Sequence, residues 1–192
     1  MILDRAGARS DVAEVAAAAI RGGADVVQVR EKESPTPEVV EIVRRVILAV
    51  GDPLKIAVNG FPGIAAEFGT HVHLPEVHGP IGEEVRLADG ALLSRSIHGP
   101  TRRPRADYAI LGNLLETGSK PGKAGLGFAR FGAIARACPV PVLAIGGVEP
   151  RHVADVLRHG GHGVAVRSFV IGSQDPEAAA RQIRMEFDKW AK

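Results

Sequence analysis

Short apolar segments alternate with longer amphipathic segments along this chain, and this alternation is the feature that most limits its fold. The segment from Ala24 to Val29 is short, rich in β-branched residues and preceded by two glycines, which is typical of a buried strand. The segment from Pro37 to Val50 repeats valine and isoleucine every three to four residues, which predicts a helix with one apolar face. The same pair of patterns recurs along the chain and predicts about eight strands, the first of them a stub at residues 2–3.

Strict alternation of strands and helices predicts a parallel sheet, and eight units predict a closed (β/α)8 TIM barrel that forms one domain over residues 1–192. Such barrels usually have about 250 residues, so this one must be compact. The segment between Ile97 and Asp107 is too short for a normal helix, so we expect a shortened or missing fifth helix. A doubly wound open sheet is the alternative, but no G-x-G-x-x-G motif follows the first strand.

The composition restricts the classes of partner. There are 24 Lys and Arg residues against 22 Asp and Glu residues, a net charge of +2 that predicts neither a nucleic-acid partner nor a membrane partner. Cys138 is the only cysteine and the first residues lack the apolar core of a secretory signal, so we expect a cytoplasmic location. The seven histidines occur without a cysteine pair or an HExxH motif, and we therefore predict no metal site.

The loops that follow the strands should carry the function, because active sites of (β/α)8 barrels lie at the carboxyl ends of the strands. Cationic side chains are frequent there, which favours an anionic small molecule. The fifth strand is predicted at residues 91–93, so Ser96 is expected in the loop behind it. The predicted substrate-binding residues are Gln28, Arg30, Lys32, Asn59, Ser96, Thr117, Ser119 and Lys120.

A phosphate site is predicted at the loops after strands seven and eight. Two consecutive glycines, Gly146 and Gly147, allow backbone N–H groups to approach an anion closely, and barrels often bind phosphate at these loops. The alternative is that the two glycines only form a tight turn between a strand and a helix. The predicted phosphate-binding residues are Gly146, Gly147, Val166, Arg167 and Ser168.

Seven segments, in this order, resemble the thiamine phosphate synthase/TenI family over nearly the whole chain. They are residues 27–32 (VQVREK), 58–60 (VNG), 72–74 (VHL), 94–98 (SRSIH), 112–120 (GNLLETGSK), 144–147 (AIGG) and 163–166 (GVAV). The resemblance implies a (β/α)8 barrel, a role in thiamine biosynthesis and a thiazole phosphate as the small-molecule partner. A homo-oligomer is compatible with it.

The family has two branches, which differ after strands three and four. The synthase branch joins a pyrimidine diphosphate to thiazole phosphate and holds magnesium with two aspartates, at whose positions this chain has Gly60 and His78. Neither residue offers the carboxylate that a hard cation prefers. The TenI-type branch, a thiazole tautomerase, shares the Asn59-Gly60 pair, the Arg-Ser-x-His pattern that ends at His98, and the Glu116-Thr117 pair. The resemblance is therefore closest to the tautomerase, an isomerase that acts on a carboxythiazole phosphate by proton transfer and needs no cofactor.

One departure concerns the proton carrier. The tautomerase has a catalytic histidine where this chain has Asn113, and an amide is neither a general acid nor a general base. The resemblance makes Asn113, Glu116 and His98 the candidate catalytic residues, with Lys120 as a further proton carrier. Three functions stay open: the tautomerase, a thiamine phosphate synthase (a transferase that uses Mg), and a non-catalytic, regulatory binder of thiazole phosphate.

Overall fold

Eight parallel β-strands form a single sheet in which every strand pairs with its neighbours in chain order. The computed structural model describes residues 1–82, 85–101, 104–117, 122 and 124–190. The last strand returns to the first, because the backbone N–H of Ile2 donates to the carbonyl oxygen of Val166 at 2.8 Å. The predicted (β/α)8 barrel is confirmed. The strands are β1 (Ile2–Leu3), β2 (Val27–Val29), β3 (Ile56–Asn59), β4 (His71–Leu74), β5 (Leu93–Ile97), β6 (Tyr108–Gly112), β7 (Val142–Ile145) and β8 (Gly163–Ala165).

Helices cover the outside of the barrel and bury its main apolar core. Val27 and Val29 of β2 and Ile56 and Val58 of β3 belong to this core. Among the described residues, no helix lies between β5 and β6, as the sequence predicts, and none lies between β4 and β5. The helices are α1 (Val12–Arg21), α2 (Thr36–Val50), α3 (Pro62–Phe68), α4 (Gly127–Ala137), α5 (Val153–Arg158), α6 (Ser168–Ile171) and α7 (Pro176–Asp188), with 3-10 turns at Pro53–Lys55 and Pro150–His152. In the part of the chain that the structure describes, no helix combines the length and the apolar character needed to cross a bilayer.

The fifth strand lies later in the chain than the sequence predicts. It begins at Leu93 and runs to Ile97, so Ser96 lies within the strand and not in the loop behind it. The physical reason is that Ser94 and Ser96 face the polar interior of the barrel, where they contact a histidine of β4. Because these inward-facing side chains are polar, the segment lacks the apolar pattern that identifies a buried strand in the sequence.

Alternate side chains of each strand point into the barrel, and they form two regions along its axis. Towards the carboxyl ends of the strands, hydrogen bonds link Gln28 to Asn59 and His73 to Ser96. Towards the amino ends, Ile2, Ile110 and Ala165 form a small apolar cluster that is separate from the main core. The polar region is the part of the barrel in which the predicted site residues meet.

Candidate active site

His73 of β4 is the centre of a hydrogen-bonded group inside the barrel. Its Nδ1 lies 2.8 Å from Ser94 Oγ, and its Nε2 lies 2.9 Å from Ser96 Oγ. Burial, together with the positive charges of Arg30 and Arg95, lowers the pKa of His73 to about 4. The imidazole is therefore neutral near pH 7, where one ring nitrogen donates a hydrogen bond and the other accepts one.

Gln28 and Asn59 meet beside this group, as the predicted site requires. β2 and β3 pair in parallel with Gln28 opposite Ala57, which brings the side chain of Asn59 above that of Gln28. Asn59 Nδ2 donates to Gln28 Oε1 at 2.9 Å. The pair presents amide groups that can hydrogen-bond to a heterocyclic ring.

Two guanidinium groups and one carboxylate lie at the ends of β1, β2 and β8. Arg167 donates from Nε and Nη2 to the two carboxylate oxygens of Asp4, at 2.6 and 2.7 Å. The backbone N–H of Gly7 donates to the same carboxylate at 2.9 Å. Although burial opposes it, the hydrogen bond and charge of Arg167 help to lower the pKa of Asp4. Arg167, which the sequence assigns to phosphate, is therefore already engaged in an ion pair that ties β8 to β1.

Arg30 is the cation of this group that is not so engaged. Its side chain is half-buried, and burial lowers the pKa of the guanidinium, while Asp4 opposes this shift and Arg167 adds to it. Within the described part of the chain, no hydrogen bond satisfies this guanidinium. Such a group gains charge-assisted hydrogen bonds when an anion approaches, and it loses none in exchange.

The loops after β6 and β7 pack tightly against each other. The N–H groups of Leu114 and Leu115 donate to the carbonyl oxygens of Ile145 and Gly146, at 2.7 and 3.0 Å. Gly146 and Gly147 have φ angles of +102° and +68°. A Cβ at Gly146 would lie 2.6 Å from Asn113 Cβ, and a Cβ at Gly147 would lie 2.8 Å from Leu115 Cβ. The two glycines are thus required by the approach of the β6 loop, as the turn alternative expects, and their role in binding phosphate stays a prediction.

Asn113 and His98, two of the predicted catalytic residues, have different hydrogen-bond partners. Asn113 is half-buried, and its Nδ2 donates to the carbonyl oxygen of Leu115 at 3.1 Å. His98 is exposed, and its Nδ1 lies 2.7 Å from Glu76 Oε2. The hydroxyl of Ser96 instead contacts His73 of the neighbouring strand.

The other predicted site residues that the structure describes lie around the same end of the barrel. Val166 is buried and its carbonyl oxygen accepts the hydrogen bond that closes the sheet, so it offers no side-chain donor. Ser119 and Lys120 lie outside the described residues. Glu116, Lys32 and Ser168 are exposed, and Thr117 is half-buried.

Sequence reasoning missed the roles of His73, Ser94 and Asp4. The spacing of His71 and His73 places both on one face of β4, but it does not indicate a neutral imidazole between two hydroxyls. Asp4 follows β1 directly, which is a usable signal, because a carboxylate at a strand end of a barrel faces the other strand ends.

The residues after β3 and β4 do not fit the magnesium site of the synthase branch. Gly60 has no side chain to offer, and His78 Nδ1 lies 2.9 Å from its neighbour's carbonyl oxygen, that of Gly79. Glu76, an acidic residue of the loop after β4, pairs with His98 at the surface. Among the described residues, no group of three acidic, histidine or cysteine side chains is placed to hold a metal ion.

Comparisons with known proteins agree on one family. The sequence profile described as thiamine monophosphate synthase matches residues 1–170. The thiamine-phosphate synthase of Moorella thermoacetica is 34% identical, with 96% of this chain and 92% of that protein covered. The enzyme of the same name from Chloroflexus aurantiacus is 36% identical, with 87% and 81% covered. The solved thiamine phosphate pyrophosphorylase from Pyrococcus furiosus superimposes with a TM-score of 0.82 at 26% identity, over 98% of this chain and 94% of that one.

These names change the order of the functions that the sequence left open. The sequence places the tautomerase first, whereas the relatives are named as synthases. The comparisons therefore favour the synthase alternative, and they give no specific support to the tautomerase branch.

Proposed function

Because this chain belongs to the thiamine monophosphate synthase family, we propose that it acts in thiamine biosynthesis on a thiazole phosphate bound at the carboxyl end of its barrel. The main support for this proposal comes from Arg30, whose half-buried guanidinium donates no hydrogen bond to any described residue. It lies next to neutral groups that suit a heterocycle, since Gln28 and Asn59 offer amides and His73 offers an uncharged imidazole. A thiazole phosphate with its phosphate at Arg30 and its ring over the amides of Gln28 and Asn59 would use both the charged group and the neutral groups.

The synthase reaction is the first candidate, because the relatives carry that name. In this reaction, a pyrimidine diphosphate and a thiazole phosphate must be held together while diphosphate leaves. Arg30 would hold the phosphate of the thiazole phosphate, and the Gln28–Asn59 pair would orient a ring. Since Gly60 and His78 offer no carboxylates, this chain would have to compensate the charge of the diphosphate with its own cations.

The tautomerase reaction is the second candidate, and the lack of carboxylates at Gly60 and His78 favours it. Aromatisation drives this reaction, so the protein needs only to orient the substrate and move one proton. Asn113 cannot carry that proton, which leaves Glu116 and His98 among the described residues. His73 would hold the Ser96 hydroxyl towards the substrate.

One set of assays on the purified chain separates these functions. Both synthase substrates are supplied with magnesium and, in parallel, with a chelator, and the carboxythiazole phosphate is supplied alone. Thiamine phosphate formation supports the synthase, and its response to the chelator shows whether magnesium takes part. Aromatic thiazole formed without thiamine phosphate supports the tautomerase. Binding of thiazole phosphate without turnover supports the regulatory binder, and absence of binding contradicts the proposal.

A further inference from the structure

The amino-terminal end of the barrel contains a cavity of about 470 Å³, on the opposite side from the candidate active site. Barrels of this type normally fill their interior with layers of bulky branched side chains. Here the small side chain of Ala165 in β8 lies beside Ile2, Ile110 and Leu143, and all four residues line the cavity. Small-molecule sites commonly have volumes of about 300–1,000 Å³, so the space suffices for a compact ligand.

Gln28 is the polar group on the cavity wall that is nearest to the middle of the barrel. Its side chain is 5% exposed, and its Oε1 accepts the hydrogen bond of Asn59. In the described part of the chain, Gln28 Nε2 has no hydrogen-bond partner. This amide nitrogen can therefore donate a hydrogen bond to an acceptor atom of a ligand in the cavity.

The charges around the cavity mouth are already engaged. Arg184 Nη2 donates to Asp25 Oδ1 at 2.5 Å, and Asp107 Oδ2 accepts from the backbone N–H of Leu93 at 2.7 Å. The remaining lining residues are mostly apolar, with the side chains of Gln28, His71, Tyr108 and His162 as the polar groups among them. Met1 also lines the cavity, where its ammonium group donates to the carbonyl oxygen of Val26 and burial lowers its pKa to about 6. A charged ligand would lose its hydration there without gaining a counter-ion, so the cavity favours a neutral one.

We propose that this cavity is a second ligand site, which binds a neutral aromatic heterocycle whose acceptor atom receives a hydrogen bond from Gln28 Nε2. The apolar wall supplies the affinity for the rings and the amide fixes their orientation. Since the same glutamine side chain holds Asn59, the ligand would contact the floor of the candidate active site from the opposite end of the barrel. The proposal stands on the cavity and on Gln28, and it does not depend on which reaction the chain catalyses.

Binding of quinoline, used as the probe, tests the site at near-neutral pH by protein-observed NMR titration. The wild type should bind quinoline saturably, and Leu143→Phe, which fills the cavity, should weaken binding at least ~10-fold. The matched control is Leu48→Phe, at an exposed position of α2 away from the cavity, and its affinity should stay within about twofold of wild type. If Leu143→Phe fails to fold, Ile110→Phe on the neighbouring strand replaces it.

Naphthalene, which has the same shape but no acceptor, tests the role of Gln28. Gln28→Leu should weaken quinoline more than naphthalene by about 3- to 10-fold, which is the net effect of one hydrogen bond. Equal effects on both compounds would contradict the assigned contact. No saturable binding of either compound to the wild type, or full binding of quinoline by Leu143→Phe, would overturn the proposal.

Discussion

Arg30 and Arg167 lie close together, yet their surroundings give them different tasks. Asp4 accepts two hydrogen bonds from Arg167, whereas no described residue accepts one from Arg30. The ion pair leaves Arg30 as the cation that an incoming phosphate can reach. His73, beside it, stays uncharged because it is buried and has positive neighbours.

Replacing Arg30 should weaken the binding of thiazole phosphate. Arg30→Gln removes hydrogen bonds to a charged group, each worth about 1.5–3 kcal/mol, so the dissociation constant should rise by about 10- to 150-fold in a calorimetric titration. The control is Arg44→Gln, because Arg44 pairs with Glu41 on the exposed face of α2. An Arg30→Gln protein that binds like the control would show that the phosphate lies elsewhere.

His73 should make the fold less stable in acid. The unfolded chain protonates this residue below pH of about 6.5, whereas the folded chain does so only near its pKa of about 4. The free energy of unfolding therefore falls as the pH is lowered from 6.5 to 4, by about 3 kcal/mol at most from this residue.

Urea denaturation of the wild type and of His73→Gln across this pH range checks the effect. The variant should lose much of the pH dependence, although its stability at neutral pH also falls because two hydrogen bonds change. The exposed His98 provides the control, and His98→Gln should keep the wild-type slope. Parallel slopes for His73→Gln and wild type would contradict the pKa assignment.

Asn113 determines the rate if the tautomerase candidate is correct. General acid–base catalysis contributes about 10²–10⁴-fold, so a chain with an amide here should be slow but not inert. Asn113→His should raise the rate by at least ~10-fold and add a pH dependence near the imidazole pKa of about 6.5. Single-turnover absorbance of the aromatic product, measured across pH for both proteins, is the test. A fast wild type that the substitution slows would place the proton on another residue.

At the scale of the elements, the loops after β6 and β7 act as one unit. Backbone hydrogen bonds continue the strand pairing beyond Gly112 and Ile145, which holds the predicted catalytic segment against the two glycines. The positions of Asn113 and Glu116 therefore depend on residues of a different loop. A substitution in the loop after β7 should therefore change the conformation of the loop after β6, although the sequence of that loop is unchanged.

Gly147→Ala tests this coupling, with Gly51→Ala as the matched control. Both glycines have positive φ, but a Cβ at Gly51 meets no atom within 4 Å, while one at Gly147 meets Leu115. The control should lower the free energy of unfolding by about 1–2 kcal/mol through backbone strain alone, without affecting binding. Gly147→Ala should lower it further and also weaken thiazole phosphate binding. Equal losses of stability, with binding intact in both, would show that the two loops are not coupled.

At the scale of the whole molecule, the sequence predicts the barrel better than it predicts the site. Short β-branched segments such as Val27–Val29 mark the outward faces of the strands, since burial against helices requires apolar residues there. The shortened connection between β5 and β6 is equally visible, because the chain is too short to form a helix.

The site is harder to predict because its partners are distant in the chain. Asp4 and Arg167 are separated by 163 residues, and no local pattern pairs them. Ser94 and Ser96 face inward in a strand that has no apolar alternation, so the sequence predicts a strand that begins two residues and ends four residues too early. The sequence identifies Gln28, Asn59 and Arg30 because the first lies within a recognisable strand, the second ends one and the third directly follows one.

The central claim is that a thiazole phosphate binds at the carboxyl end of the barrel, and a crystal structure with this compound tests it most directly. We expect the ring beside Gln28 and Asn59 and the phosphate within hydrogen-bond distance of Arg30 or of the Gly146–Gly147 loop. Density for the ligand only in the cavity at the amino-terminal end, or an empty carboxyl end in crystals of a protein that binds the compound in solution, would contradict the account.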